Sequence, residues 1–141
     1  MVITIINGPN LNLLGKRESN IYGEESFEAV LGDLRKRYAD VDFAYAQSNV
    51  EGELVSMLQS ASVESDGIIL NAGAYTHTSV AIRDAVSAVE TAVIEVHISN
   101  IMKREEFRHT SLLSSVCSGT IFGFGKGVYE LATEAFVRRI I

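Results

Sequence analysis

The residues of this chain best suited to moving protons are two pairs, Arg17 with Tyr22 and Glu95 with His97. A phenol ordinarily titrates near ~10 and is a poor base at neutral pH. A nearby guanidinium favours the phenolate and lowers that value, so Arg17 and Tyr22 together could make a base. The competing reading is a surface tyrosine beside an unrelated arginine. Glu95 and His97 stand two residues apart at the end of the apolar run Ala92–Val96. Alternate side chains of a strand share a face, which sets a carboxylate against an imidazole. The carboxylate would fix the ring's tautomer and raise its basicity, as a general acid requires. A core histidine satisfied by a buried acid is the plainer alternative, and in either case a buried glutamate is costly unless paired.

Further polar residues follow the same kind of apolar run. Asn7-Gly8-Pro9-Asn10 comes after Val2–Ile6, Asn71–His77 after Gly67–Leu70, and His97-Ile98-Ser99-Asn100 after Ala92–Val96. Backbone N–H groups at a turn such as Ile98-Ser99 can hold an anion, although Ser and Asn are also ordinary helix caps. Asn71 and His77 bracket Gly73, where a missing Cβ lets another group approach closely. His77-Thr78-Ser79 also reads as a helix start. The run Lys103–Arg108 is by default a solvated face, yet it follows His97 closely enough for one arginine to reach the same place.

These groups must be positioned by alternating strands and helices. Strands are expected near 2–6, 41–46, 67–70, 92–96 and 116–122. A first helix would bury Phe27, Val30, Leu31, Leu34 and Tyr38 at helical spacing. A second, opened by a capping box at Ser48-Asn49-Val50-Glu51, would bury Leu54, Leu58 and Ala61. A third would bury Ile82, Ala85, Val86 and Val89, and a last one Val128, Leu131, Ala132 and Ala135. This is an α/β chain, and the expected architecture is a flavodoxin-like, doubly wound, five-stranded parallel sheet of order 2-1-3-4-5. Ligands of open α/β sheets bind outside the carboxyl ends of the strands, where the polar clusters fall. The loop from Asn7 to Glu25 is much longer than the usual ~2–6 residues, and with Gly8, Gly15 and Gly23 as flexible points it reads as a lid.

Length and composition narrow the function. The 141 residues suit one domain, 1–141, and neither repeats nor linkers interrupt them. The net charge of −6 disfavours nucleic acid. Arg35-Lys36-Arg37 and Arg138-Arg139 fall late in helices, where cations complement the dipole. No apolar run approaches the ~20 residues of a membrane span, and the chain opens on a strand without a signal-peptide pattern. A single cysteine, Cys117, fits a reducing compartment and reads as a small apolar side chain in the fifth strand. A cytoplasmic protein is expected. There is no metal-ligand spacing. Gly119, Gly123, Gly125 and Gly127 come at the last strand rather than the first βα turn, so they are not a dinucleotide fingerprint. A signalling module would want carboxylates where Asn7 and Asn71 stand, and a hydrolase lacks a GxSxG elbow around Ser99.

Taken together, several segments closely resemble type II 3-dehydroquinate dehydratase. They are Asn7-Gly8-Pro9-Asn10-Leu11-Asn12-Leu13-Leu14-Gly15, Arg17-Glu18 with Tyr22-Gly23, Asn71-Ala72-Gly73-Ala74-Tyr75-Thr76-His77-Thr78-Ser79, Ile94-Glu95-Val96-His97-Ile98-Ser99-Asn100, Arg104-Glu105 with Phe107-Arg108, and Gly123-Phe124-Gly125. The resemblance implies loss of water from 3-dehydroquinate to give 3-dehydroshikimate, with no metal, no other cofactor and no Schiff base. It makes Tyr22 the base, Arg17 the group that lowers its pKa, and Asn10 the holder of a water that stabilises an enolate. It makes His97 the acid, oriented by Glu95. Ile98, Ser99 and Asn71 would hold the substrate carboxylate, and His77 and Arg108 the ring hydroxyls. Asp84 would serve a neighbouring subunit's site in a homo-oligomer, a dodecamer built from trimers.

Overall fold

The computed structural model describes residues 1–15 and 26–141. Its core is an all-parallel sheet of β1 (Val2–Asn7), β2 (Asp42–Gln47), β3 (Gly67–Asn71), β4 (Val93–His97) and β5 (Gly119–Phe122) in the order β2-β1-β3-β4-β5. The central strands β1, β3 and β4 are rich in isoleucine and valine, whose branched side chains suit a pleated surface buried on both sides. Among the described residues, two helices cover each face. Ile3 and Ile5 of β1, Ile69 of β3, and Ile94 and Val96 of β4 meet α1 (Phe27–Arg37) and α4 (Gly127–Val137). On the other face Ile6, Ile68, Leu70 and Val93 meet α2 (Glu51–Glu64) and α3 (Val80–Ala88). The expected fold class and strand order are therefore what the chain adopts. Among the described residues no helix is long and apolar enough to cross a membrane.

The register decides where the polar strand ends fall. Asn7 pairs with Asn71, and Leu70 with Glu95, so the last residues of β1, β3 and β4 lie side by side. Gly8 and Gly73 then let the two loops close together. A Cβ on Gly8 would come within 2.6 Å of the Ala72 carbonyl oxygen, and Gly73 has φ +59 with Pro9 against it.

Three local expectations need correction. Ser48 does not open a capping box with Glu51: α2 begins at Glu51 with Val50 as its N-cap. Ser48 stands two residues too early, so its hydroxyl accepts from Val50 N–H at 2.9 Å and pairs with Glu53 instead. The fifth strand starts at Gly119 rather than 116, because Ser114–Val116 form a 3-10 turn behind the fully buried Leu113. Cys117 thus lies between that turn and β5, half-buried against the α2–α3 core. The buried stripe of α4 is Val128, Tyr129, Ala132, Thr133 and Phe136, while Leu131 is exposed. The two aromatic rings set this rotation. Phe136 fills the space that a side chain on Gly67 would need, and Tyr129 reaches the ends of β1 and β3. The buried faces of α1 and α2 are as the helical spacing predicts, save that Tyr38 is the C-cap of α1.

Candidate active site

The loops after β1, β3 and β4 enclose one cleft. Asn10, Asn71, His77, His97, Ile98, Ser99 and Arg108 line it, joined by Arg104. The described walls leave it about 110 Å³, below the ~300–1,000 Å³ of small-molecule sites. The chain is acidic, yet the cleft presents two arginines and two imidazoles, which suits an anionic ligand. Asp84 lies elsewhere, exposed on α3. Arg17 and Tyr22, and with them most of the expected lid, lie outside the described residues.

His97 is the last residue of β4, and Glu95 stands two residues before it, as strand alternation requires. Both are buried, and His97 Nε2 lies 2.5 Å from Glu95 Oε2. Burial alone would raise the Glu95 carboxyl. Hydrogen bonds from His97, Ser114 and Ser111, with the charge of His97, outweigh it and hold the group below the ordinary carboxylate range. An ionised Glu95 accepts the Nε2 proton, leaving Nδ1 as the imidazole atom for the cleft.

His77 closes the 3-10 turn Gly73–His77 and its ring stacks on His97 with centroids 6.2 Å apart. Its Nδ1 lies 2.8 Å from the Thr110 carbonyl oxygen, which can only accept, so Nδ1 carries a proton and Nε2 remains for a ligand. Burial pushes His77 below the ordinary imidazole value, and the charges of His97 and Arg108 add to this. Ser79 caps α3, accepting from Ile82 N–H at 2.9 Å, and Asn100 caps the turn Ile101–Lys103 by accepting from Met102 N–H at 3.1 Å. The capping reading is thus correct for both residues, while Ile98 and Ser99 face the cleft. The charged run Lys103–Arg108 forms parts of two short 3-10 turns. Arg108 reaches the cleft from the second, its Nε held by Glu105 at 2.5 Å and its guanidinium over the Phe107 ring.

Asn10 has a left-handed backbone, φ 69, and its N–H donates to Asn49 Oδ1 at 3.1 Å. Asn71 is fixed from both ends: Gly73 N–H donates to its Oδ1 at 3.2 Å, and its Nδ2 donates to the Tyr129 hydroxyl at 3.1 Å. That hydroxyl donates in turn to Asn7 Oδ1 at 2.8 Å. Sequence reasoning missed Tyr129, Arg104, Ser111 and Ser114. Arg104 could have been found from its place in the charged run, whereas the others carry no local signal.

The sequence family described as dehydroquinase class II matches residues 1–137. The chain belongs to the class II dehydroquinase family. It is 52% identical over 138 residues to a 3-dehydroquinate dehydratase of Exiguobacterium, covering 97% of this chain and 94% of that protein. A protein of the same name from Nitratiruptor is 51% identical over 138 residues, with 96% and 88% covered. The crystal structure of a type II dehydroquinase from Butyrivibrio crossotus superimposes with a TM-score of 0.93 at 45% identity, covering 97% of each chain.

Proposed function

We propose that this chain dehydrates 3-dehydroquinate to 3-dehydroshikimate by anti elimination through an enolate, without a metal or a Schiff base. The observation that carries the reading is the buried Glu95–His97 pair, which meets a cation-lined cleft through His97. The substrate is that of the relatives' names. Tyr22, as a phenolate favoured by Arg17, removes a proton from the carbon next to the ketone. The electrons of the broken C–H bond pass into the carbonyl, and the enolate oxygen meets a water held by Asn10. The carbonyl then re-forms, the new C=C bond forms, and the C–O bond breaks. His97 gives its Nδ1 proton to the departing hydroxyl, which leaves as water. Tyr22 loses a proton to solvent and His97 regains one, so the cycle closes.

Asn71, with the N–H groups of Ile98 and Ser99, holds the substrate carboxylate, and His77 and Arg108 hold ring hydroxyls. The fixed Nε2 lone pair of His77 supports its part. Residues 1–141 act as one catalytic domain of a cytoplasmic homo-oligomer, a dodecamer of trimers in which Asp84 serves a neighbouring site. Its exposure away from its own cleft supports that role. Mixed assemblies of Asp84→Ala and Tyr22→Phe chains should then regain activity, and a mixture that stays inactive while wild-type controls reassemble removes the role. The test of the reaction is incubation with 3-dehydroquinate while the absorbance of the conjugated enone is followed. Wild-type protein should produce it, and Tyr22→Phe should lower kcat by at least ~100-fold, the scale of a lost acid–base group. A folded wild-type protein that forms no enone would refute the assignment.

A further inference from the structure

Glu95 receives more hydrogen bonds than His97 supplies. Its carboxylate is fully buried, where a charge is costly unless its oxygens are satisfied. Ser114 Oγ donates to Oε1 at 2.7 Å, and Ser111 Oγ lies 3.0 Å from each carboxylate oxygen. The Ser111 hydroxyl is not placed to turn around. Ser111 Oγ accepts the backbone N–H groups of Leu113 and Ser114, both at 3.1 Å. Its lone pairs are then taken, and its one proton is left for Glu95. Ser114 Oγ accepts from Thr120 Oγ1 at 3.2 Å, which occupies one of its lone pairs while its own proton goes to the carboxylate.

We propose that Ser111 and Ser114 are positioning residues for the reaction: as hydrogen-bond donors they hold Glu95 ionised and so keep the mobile proton of the pair on His97. This rests on the reading of His97 as the acid. A proton on Glu95 would need an acceptor. At Oε1 it would meet two donor hydroxyls, and the acceptor left to it would be His97 Nε2. The imidazole would then be neutral with its proton on Nδ1, a far weaker acid than imidazolium. The two serines oppose that state and favour the one in which an imidazolium faces the leaving group. The depressed Glu95 carboxyl points the same way. Among the described residues, besides His97, the His77 imidazole and the Cys117 thiol feel the charge of Glu95. Burial, with the charge of Glu95, pushes that thiol up to about 12 and keeps it neutral.

The test compares Ser111→Ala, Ser114→Ala and the double variant with Ser111→Thr and Ser114→Thr, reading kcat and KM for 3-dehydroquinate against pH. Because the two states hold the same number of protons, kcat should fall across the whole pH profile rather than at one limb, by at least tenfold in the double variant and by less in the singles. KM should stay near wild type, and each threonine variant should restore most of the profile. In wild-type protein labelled with 13C at glutamate carboxyls, the Glu95 signal should remain that of a carboxylate below the ordinary value of ~4.3, a readout that needs no variant to fold. An unchanged kcat in folded alanine variants, threonine variants as impaired as alanine, or ordinary titration of Glu95 would each overturn the proposal. Failure of the underlying reading looks different: His97→Ala would then turn over normally.

Discussion

Two buried polar networks stand at neighbouring strand ends of this protein, and only one of them is built around a carboxylate and an imidazole. At the ends of β1 and β3, Asn7, Asn71 and Tyr129 share a chain of neutral hydrogen bonds. At the end of β4, Glu95 and His97 with Ser111 and Ser114 share a charged one. Both satisfy buried polar atoms, as a low-dielectric interior demands. The neutral network fixes the Asn71 amide at the wall of the cleft. The charged network stores a proton next to the same cleft. A hydrogen-bonded core is thus shared by both, while chemistry requires the ionisable one.

Glu95→Gln should separate the two networks most sharply. The shape is nearly kept, but the serines would draw the amide oxygen to the Oε1 position and leave the NH2 group facing His97 Nε2. The neutral ring would then carry its proton on Nδ1. We expect kcat to fall by about 100-fold or more, with KM little changed. A variant that keeps wild-type kcat would place Glu95 with the structural residues. The same carboxylate should also make stability depend on pH. Its folded value is depressed, so its stabilisation is fully present above the unfolded value of ~4.3 and is lost as pH falls through the folded value. Thermal melts between pH 6 and the acid limit should therefore show a smaller acid loss in Glu95→Gln than in wild type.

Tyr129→Phe should break the neutral network instead. Two buried amides would lose a shared partner, at a cost of about 1–3 kcal/mol. The loss of melting temperature should be nearly the same at every pH from 5 to 8. A loss that varies steeply over that range would mean the two networks are coupled. Leu131→Gln is the smallest effect, within about 0.5 kcal/mol, because Leu131 is exposed on α4. Destabilisation well beyond that would restore the sequence-based stripe that the structure replaces.

What could be read in the sequence was whatever repeats with a short period or ends a strand. The faces of α1, α2 and α3 follow from apolar residues at helical spacing, and the Glu95–His97 contact follows from strand alternation. What could not be read depends on partners far apart. Tyr129 bonds Asn7 across 122 residues, and that contact, with Phe136 against Gly67, turns α4 away from its local pattern. Ser111 and Ser114 look like ordinary turn residues until β4 is laid beside their turn. Ser48 carries a true capping chemistry but stands two residues too early, where it bonds Val50 and Glu53. Arg17 and Tyr22 drew notice as a phenol with a cation nearby, and their roles rest on the family pattern and on the experiments proposed for them.

The claim at the centre of this account is that the charged network delivers a proton to the departing hydroxyl. Its most direct test is turnover of saturating 3-dehydroquinate by His97→Ala, beside a binding measurement with the same substrate. In that variant kcat should fall by at least ~100-fold while the substrate still binds. Binding that disappears while turnover at saturation is preserved would contradict it and make His97 a binding residue.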